Sequence, residues 1–128
     1  MRFEYNKDDK RRCEILGINP TYRGGYCGFQ KMNLNQLNML LEEKFIDPEE
    51  CQNESPSTMG FKEFMEKYPD VTAHGYIIGL DRSDYRVTIE GLEYVGDTTK
   101  EMLFDFMDMF RHADEFSCSE SCLYCWYD

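Results

Sequence analysis

The spacing of apolar residues changes partway along this 128-residue chain, and that change restricts the possible folds more than any other sequence feature. In the predicted helices before residue 69, apolar residues recur every three or four positions, as they do along one face of a helix. Over residues 71–95, β-branched and aromatic residues flank the polar turn DRSD, which is typical of an antiparallel hairpin. The sequence therefore predicts an α+β fold in a single compact domain, residues 1–128.

Four helices are predicted, because capping residues stand in front of apolar stripes. The expected caps are Asn6, Asn33, Ser57 or Thr58, and Thr98 paired with Glu101. The expected inward stripes are Leu34, Leu37, Leu41 and Phe45 in the second helix, Phe61, Phe64, Met65 and Tyr68 in the third, and Met102, Leu103, Phe106 and Phe110 in the fourth. The glycine-rich segment 20–29 is interpreted as an irregular loop.

The helices should pack on one face of a small antiparallel sheet. We expect this sheet to consist of the hairpin at residues 71–95 and a C-terminal strand at residues 121–127, which is rich in strand-forming residues. In the hairpin, Ile78 should lie opposite Val87. The parity of the apolar positions changes at Gly91, and this change predicts a β-bulge there.

The charge of the chain narrows its possible partners. There are 25 acidic and 14 basic residues, so the net charge is -11, and residues 32–128 alone carry 21 acidic and seven basic residues. Such a chain repels nucleic acid and anionic membranes and attracts basic surfaces. We therefore expect a protein partner with a basic surface, no direct binding to duplex nucleic acid and no association with membranes.

Acidic residues also recur in clusters that could form a binding surface. The candidate binding residues are Glu42, Glu43, Asp47, Glu49, Glu50, Asp105, Asp108, Asp114 and Glu115. Spaced carboxylates on a rigid frame can imitate backbone phosphates and occupy a basic groove. The sequence thus favours a non-catalytic acidic binding protein, in its sharpest form an inhibitor of a nucleic-acid-handling enzyme of the anti-restriction or anti-CRISPR type. Solubility alone could also explain the acidity.

A small zinc-binding protein is the alternative interpretation. Four possible ligands stand near the C-terminus, namely His112, Cys118, Cys122 and Cys125. In a strand, however, Cys122 and Cys125 would point to opposite faces and could not share a metal. We therefore expect no cofactor.

Catalytic signals are weak. Folding could bring Cys27 and His74 together as a thiolate–imidazole pair, but nothing in the sequence positions them. Hydrolase, phosphate-binding and metalloprotease motifs are missing, so we expect no enzymatic activity. No apolar run approaches the roughly 18 residues of a membrane span, and the polar N-terminal stretch does not resemble a signal peptide. We expect a soluble, cytoplasmic protein whose cysteines are thiols.

Overall fold

The computed structural model describes residues 2–128 as four helices and a five-stranded antiparallel sheet with the strand order β1-β2-β3-β5-β4. The elements are α1 (Asp9–Leu16), β1 (Tyr26–Met32), α2 (Leu34–Glu42), α3 (Thr58–Lys67), β2 (Thr72–Ile78), β3 (Arg86–Val95), α4 (Lys100–Phe110), β4 (Glu115–Ser119) and β5 (Cys122–Trp126). The α+β class and the number of helices are confirmed. The hairpin and the C-terminal strand are also present, but the sheet has two further strands.

Two predicted helix caps are confirmed. The side chain of Asn33 accepts a hydrogen bond from the backbone N–H of Gln36, and the side chain of Gln36 accepts one from the backbone N–H of Asn33, which completes a capping box. Ser57 caps α3 through the backbone N–H of Gly60. Both caps satisfy N–H groups that the first helical turn leaves without a partner.

The other two predicted caps are wrong by one or two residues, because a neighbouring side chain reaches the first turn instead. Asp8 caps α1, while the side chain of Asn6 accepts a hydrogen bond from the backbone N–H of Asp8. Thr99 caps α4, and the hydroxyl of Thr98 donates to the backbone carbonyl of Ser119. The sequence identified where α1 and α4 begin, but at each position several side-chain oxygens can accept the hydrogen bond from the first helical turn.

Most of the predicted apolar stripes are buried, namely Phe61, Phe64 and Met65 in α3 and Met102, Phe106 and Phe110 in α4. The α2 stripe is partly wrong. Because α2 ends at Glu42, Phe45 is buried from the following loop, and Leu37 and Leu40 form the fully buried face of the helix. Leu41 is only partly buried against the core.

The two additional strands lie at the edges of the sheet. β1 begins inside the glycine-rich segment 20–29 that was expected to be a loop, takes up its last four residues and continues to Met32. Phe29 and Met32 are buried in this strand. A turn at Gly24 and Gly25, both with positive φ, leads into it. β4 follows α4 closely and carries alternating half-buried and exposed residues. Both strands contain glycine or serine, so their strand signal is weak.

The predicted hairpin register is wrong by one residue. Ile77 pairs with Val87, and Ile78 pairs with Arg86. Ile77 and Ile78 are both almost completely buried, so the alternation of apolar and polar residues does not fix the register here. Leu80, which directly precedes the turn DRSD, is 54% exposed.

A β-bulge interrupts β3 next to the predicted position. Gly75 pairs with Ile89 and His74 pairs with Gly91, so Glu90 is the extra residue. His74 lies across Gly91, and its Nε2 is 3.1 Å from the carbonyl oxygen of Cys125 on β5. The lack of a side chain at Gly91 allows this close approach.

The core lies between one face of the sheet and the helices. Its α3–α4 half is an aromatic cluster in which Phe61 and Phe64 pack against Phe110, while Phe106 stacks on Phe116 of β4 with ring centroids 5.4 Å apart. These contacts hold α4 over β4 and β5. No helix within residues 2–128 is long and apolar enough to cross a membrane.

Candidate functional site

Helix α4 presents two apolar side chains to solvent. Phe104 is 67% exposed and Met107 is 41% exposed. Residues three or four positions apart share a helix face, so Phe104 is next to both Met107 and Asp108. Phe104 and Asp108 lie opposite the buried stripe, and Met107 lies on the flank of the helix between Phe104 and that stripe. We refer to the partly or fully exposed residues of this side as the outer surface of α4, namely Glu101, Phe104, Asp105, Met107, Asp108 and Arg111.

The carboxylates of this surface differ in their surroundings. Lys67 of α3 donates to Asp105 at 2.7 Å and lies 3.5 Å from Glu101, and the hydroxyl of Tyr68 donates to Asp105 at 2.6 Å. The hydrogen bond from Lys67, followed by that from Tyr68, lowers the pKa of Asp105. Asp108 has no hydrogen-bond or ion-pair partner among residues 2–128, so its charge is available to another molecule.

The same hydrogen bonds act on the groups that donate them. The contact with Asp105 raises the pKa of Lys67, which therefore stays charged at physiological pH. Burial, together with the hydrogen bond to Asp105, raises the pKa of Tyr68 to about 12. The three side chains form a fixed polar link between α3 and α4, and this link orients the outer surface of α4.

Several other candidate acidic residues serve the fold. Arg11 donates to both carboxylate oxygens of Glu43, at 2.8 and 2.7 Å. Glu50 accepts from Tyr5 and lies 3.3 Å from Arg86, and burial raises the pKa of Glu50 above its ordinary value. These carboxylates are already paired and cannot imitate free phosphates.

The remaining candidate acidic residues are either hydrogen-bonded within the fold or exposed to solvent. Asp47 accepts a hydrogen bond from the backbone N–H of Glu49, and Asp114 accepts one from that of Asp128. The side chains of Glu42, Glu49 and Glu115 are exposed. Of these exposed acids, Glu115 alone belongs to a strand that α4 covers. The structure therefore does not gather the nine candidates into one surface.

The alternative zinc ligands do not converge. β5 alternates half-buried and buried residues, with Cys125 fully buried on the core side and Cys122 on the other, as predicted. Burial raises the pKa of Cys125 to about 12, which disfavours the thiolate that a metal requires. Cys118 pairs with Leu123 on the core side of the sheet. No group of three or more His, Cys, Asp or Glu side chains within residues 2–128 is placed to hold a metal.

Cys27 and His74 are also separated. Cys27 lies opposite Ile77, which contributes to the core, whereas His74 stacks on Tyr124 on the opposite face of the sheet. Alternation along antiparallel strands therefore places the thiol and the imidazole on different faces. Cys27 and His74 therefore do not form a thiolate–imidazole pair.

Sequence reasoning missed the two apolar members of the outer surface, Phe104 and Met107. A signal was present, because both fall outside the stripe formed by Met102, Phe106 and Phe110. An aromatic residue on the polar side of an amphipathic helix is the pattern that could have identified this surface.

No protein-family model matches the chain, and neither does any curated protein or solved structure. An α+β arrangement does not select an activity, since one fold serves many functions. The function must therefore be inferred from the site.

Proposed function

We propose that this chain is a non-catalytic acidic binding protein that engages a basic partner through the outer surface of α4. The observation that carries the proposal is the exposure of Phe104, 67%, next to the carboxylate of Asp108, which has no partner in the described part of the chain, residues 2–128. A large aromatic side chain on a rigid helix is a typical anchor of protein interfaces. Its complete burial against a partner is worth about 1.5–3 kcal/mol.

Charge and apolar contact would contribute at different stages of binding. The net charge of -11 attracts a basic partner over distances of about 10 Å at 0.1 M salt. Phe104 and Met107 act only after contact, because apolar burial is a short-range effect. Partner selection then depends on an apolar pocket bordered by lysine or arginine.

The sharper form of the proposal is inhibition of a nucleic-acid-handling enzyme whose basic groove the protein occupies. What supports it is the excess of acid on and around α4, where residues 97–116 contain six acidic and two basic residues. Lys67 neutralises part of this charge at Asp105. The acidic contribution therefore depends most on Asp108, with the exposed Glu115 as a second carboxylate.

The test compares capture of partners from host lysate by immobilised wild type, Phe104→Ala, Asp108→Lys and Glu42→Lys. Asp108 is chosen rather than Asp105 because Asp105 holds Lys67. Glu42→Lys is the matched control, since it changes the net charge equally on another helix. We expect the first two variants to capture less partner, and Asp108→Lys to lose most of its effect at about 1 M salt, where screening shortens to about 3 Å.

Competition with duplex DNA separates the two forms of the proposal. A partner displaced by DNA would support the nucleic-acid-handling class, and a partner retained in DNA would restrict the proposal to basic proteins in general. Equal capture by all four proteins at both salt concentrations would refute the role of the α4 surface.

A further inference from the structure

Strand β4 leaves one edge of the sheet open. It pairs with β5 on one side and, within residues 2–128, has no strand on the other. The carbonyl of Cys125 points toward β3, where a side chain at Gly91 would meet it at 1.8 Å, so Tyr124 and Trp126 of β5 bond to β4. Their partners are Ser117 and Glu115.

The alternation of hydrogen bonding then determines what the edge offers. In an antiparallel pair, every second residue bonds to the neighbouring strand, and the residues between direct their N–H and C=O groups away from it. In β4 these outward residues are Phe116 and Cys118. They provide two donors and two acceptors to an added strand.

The two edge strands, β1 and β4, differ in how well they are protected against pairing with another strand. On β1, the pairing with β2 is interrupted between Phe29 and Met32, and Lys31 has a positive φ of 57°. Bulges and lysines of this kind prevent pairing at sheet edges. β4 has the sequence EFSCS, without lysine, proline or an interruption in its register.

Helix α4 covers one face of the sheet next to the open edge of β4. It packs on β4 through the stacked rings of Phe106 and Phe116. Its Asp105 side contacts α3, so the opposite side, with Leu103 and Met107, extends toward the outer edge of β4. A strand added to β4 would lie beneath these two apolar side chains.

We propose that an extended, basic segment of the partner adds to β4 as a sixth strand. Glu115 and Glu120 stand at the two ends of β4, and the exposed residues between them, Ser117 and Ser119, are small and uncharged. Lysine or arginine side chains of the segment pair with the two carboxylates, and alternate apolar side chains contact Met107. This inference rests on the proposed function and names how the partner binds.

A second copy of the chain is the competing occupant of the edge. Each copy carries a net charge of -11, so self-pairing brings two strongly acidic bodies together. A basic segment is instead attracted by the negative charge of the chain. The charge therefore selects the basic segment over the second copy.

The experiment uses a blocked octapeptide of alternating lysine and valine as the probe. Amide hydrogen exchange and NMR chemical shifts of the full chain are measured with this peptide and with a version N-methylated at every residue, which has no N–H group left to donate to β4. Cys118→Pro removes the outward N–H, and Cys118→Ala is the matched control that retains it. Sedimentation is measured on the same samples.

We expect exchange at Phe116 and Cys118 to slow about tenfold at saturating peptide, since both amides become hydrogen-bonded. Cys118→Pro should bind about tenfold more weakly than Cys118→Ala, and the N-methylated peptide should leave the amides of β4 unprotected. The proposal is overturned if the peptide does not bind, if protection falls on another element, or if the free protein sediments as a dimer with these amides already protected.

The same data separate this inference from the proposed function. If Phe104→Ala and Asp108→Lys reduce partner capture while the peptide leaves the β4 amides unprotected, the inference of strand addition is wrong and the proposed function still holds. If the β4 amides are protected but capture is unchanged in both α4 variants, the α4 surface is wrong and the open edge is the binding site.

Discussion

Substitution of Gly91 by alanine should destabilise the protein strongly, because the added methyl group has no space. An ideal Cβ at this position would lie 1.8 Å from the carbonyl oxygen and 2.7 Å from the carbonyl carbon of Cys125, both of them backbone atoms. It would also lie 2.8 Å from Cε1 of His74. Strand β5 must therefore shift away from β3, and β4, which pairs with β5, must shift with it. Overpacking of this kind costs about 3 kcal/mol.

The assay is urea and thermal unfolding of Gly91→Ala beside a matched variant, Gly28→Ala. A Cβ at Gly28 would have its nearest neighbour at 3.7 Å, an ordinary contact, so this variant should remain within about 0.5 kcal/mol of wild type. Gly91→Ala should lower the melting temperature by about 10 °C. Equal stability of the two variants would refute the described approach of β5 to β3.

Three further predictions concern other parts of the fold. Asp9→Ala should destabilise the protein by about 3 kcal/mol in urea unfolding, because it leaves the fully buried guanidinium of Arg12 without its carboxylate partner. Burial lowers the pKa of His74, so stability should decrease as the pH falls through about 6.5, and His74→Gln should remove this component of the pH profile. Iodoacetamide should modify the exposed Cys51 in the native protein and the buried Cys125 only after unfolding, as mass spectrometry of the peptides would detect.

Local sequence signals were sufficient for the elements that have strong periodicity. The stripes of α3 and α4 and the opposite orientations of Cys122 and Cys125 follow from periods of 3.6 and 2, and the structure contains them. β1 was missed because Gly28 interrupts its apolar pattern and two further glycines, Gly24 and Gly25, directly precede it. β2 pairs with β1 along its length, so tertiary contacts outweigh the weak local propensity.

The candidate site was harder to predict because its electrostatics depend on distant residues. Asp105 appeared to be a free carboxylate in the sequence, yet Lys67, on another helix, neutralises it. Glu50 is similarly paired with Arg86. Acidic composition predicts attraction to a basic partner, but only the folded structure identifies Asp108 as a carboxylate without a partner among residues 2–128.

The most direct test of the α4 surface is site-specific photo-crosslinking. A photoreactive phenylalanine derivative is placed at Phe104 and, as a control, at Leu80, which is 54% exposed in the turn between β2 and β3. We expect the derivative at Phe104 to crosslink a basic partner and the derivative at Leu80 to crosslink none. Crosslinking from Leu80 alone, or equally from both positions, would contradict docking on the outer surface of α4.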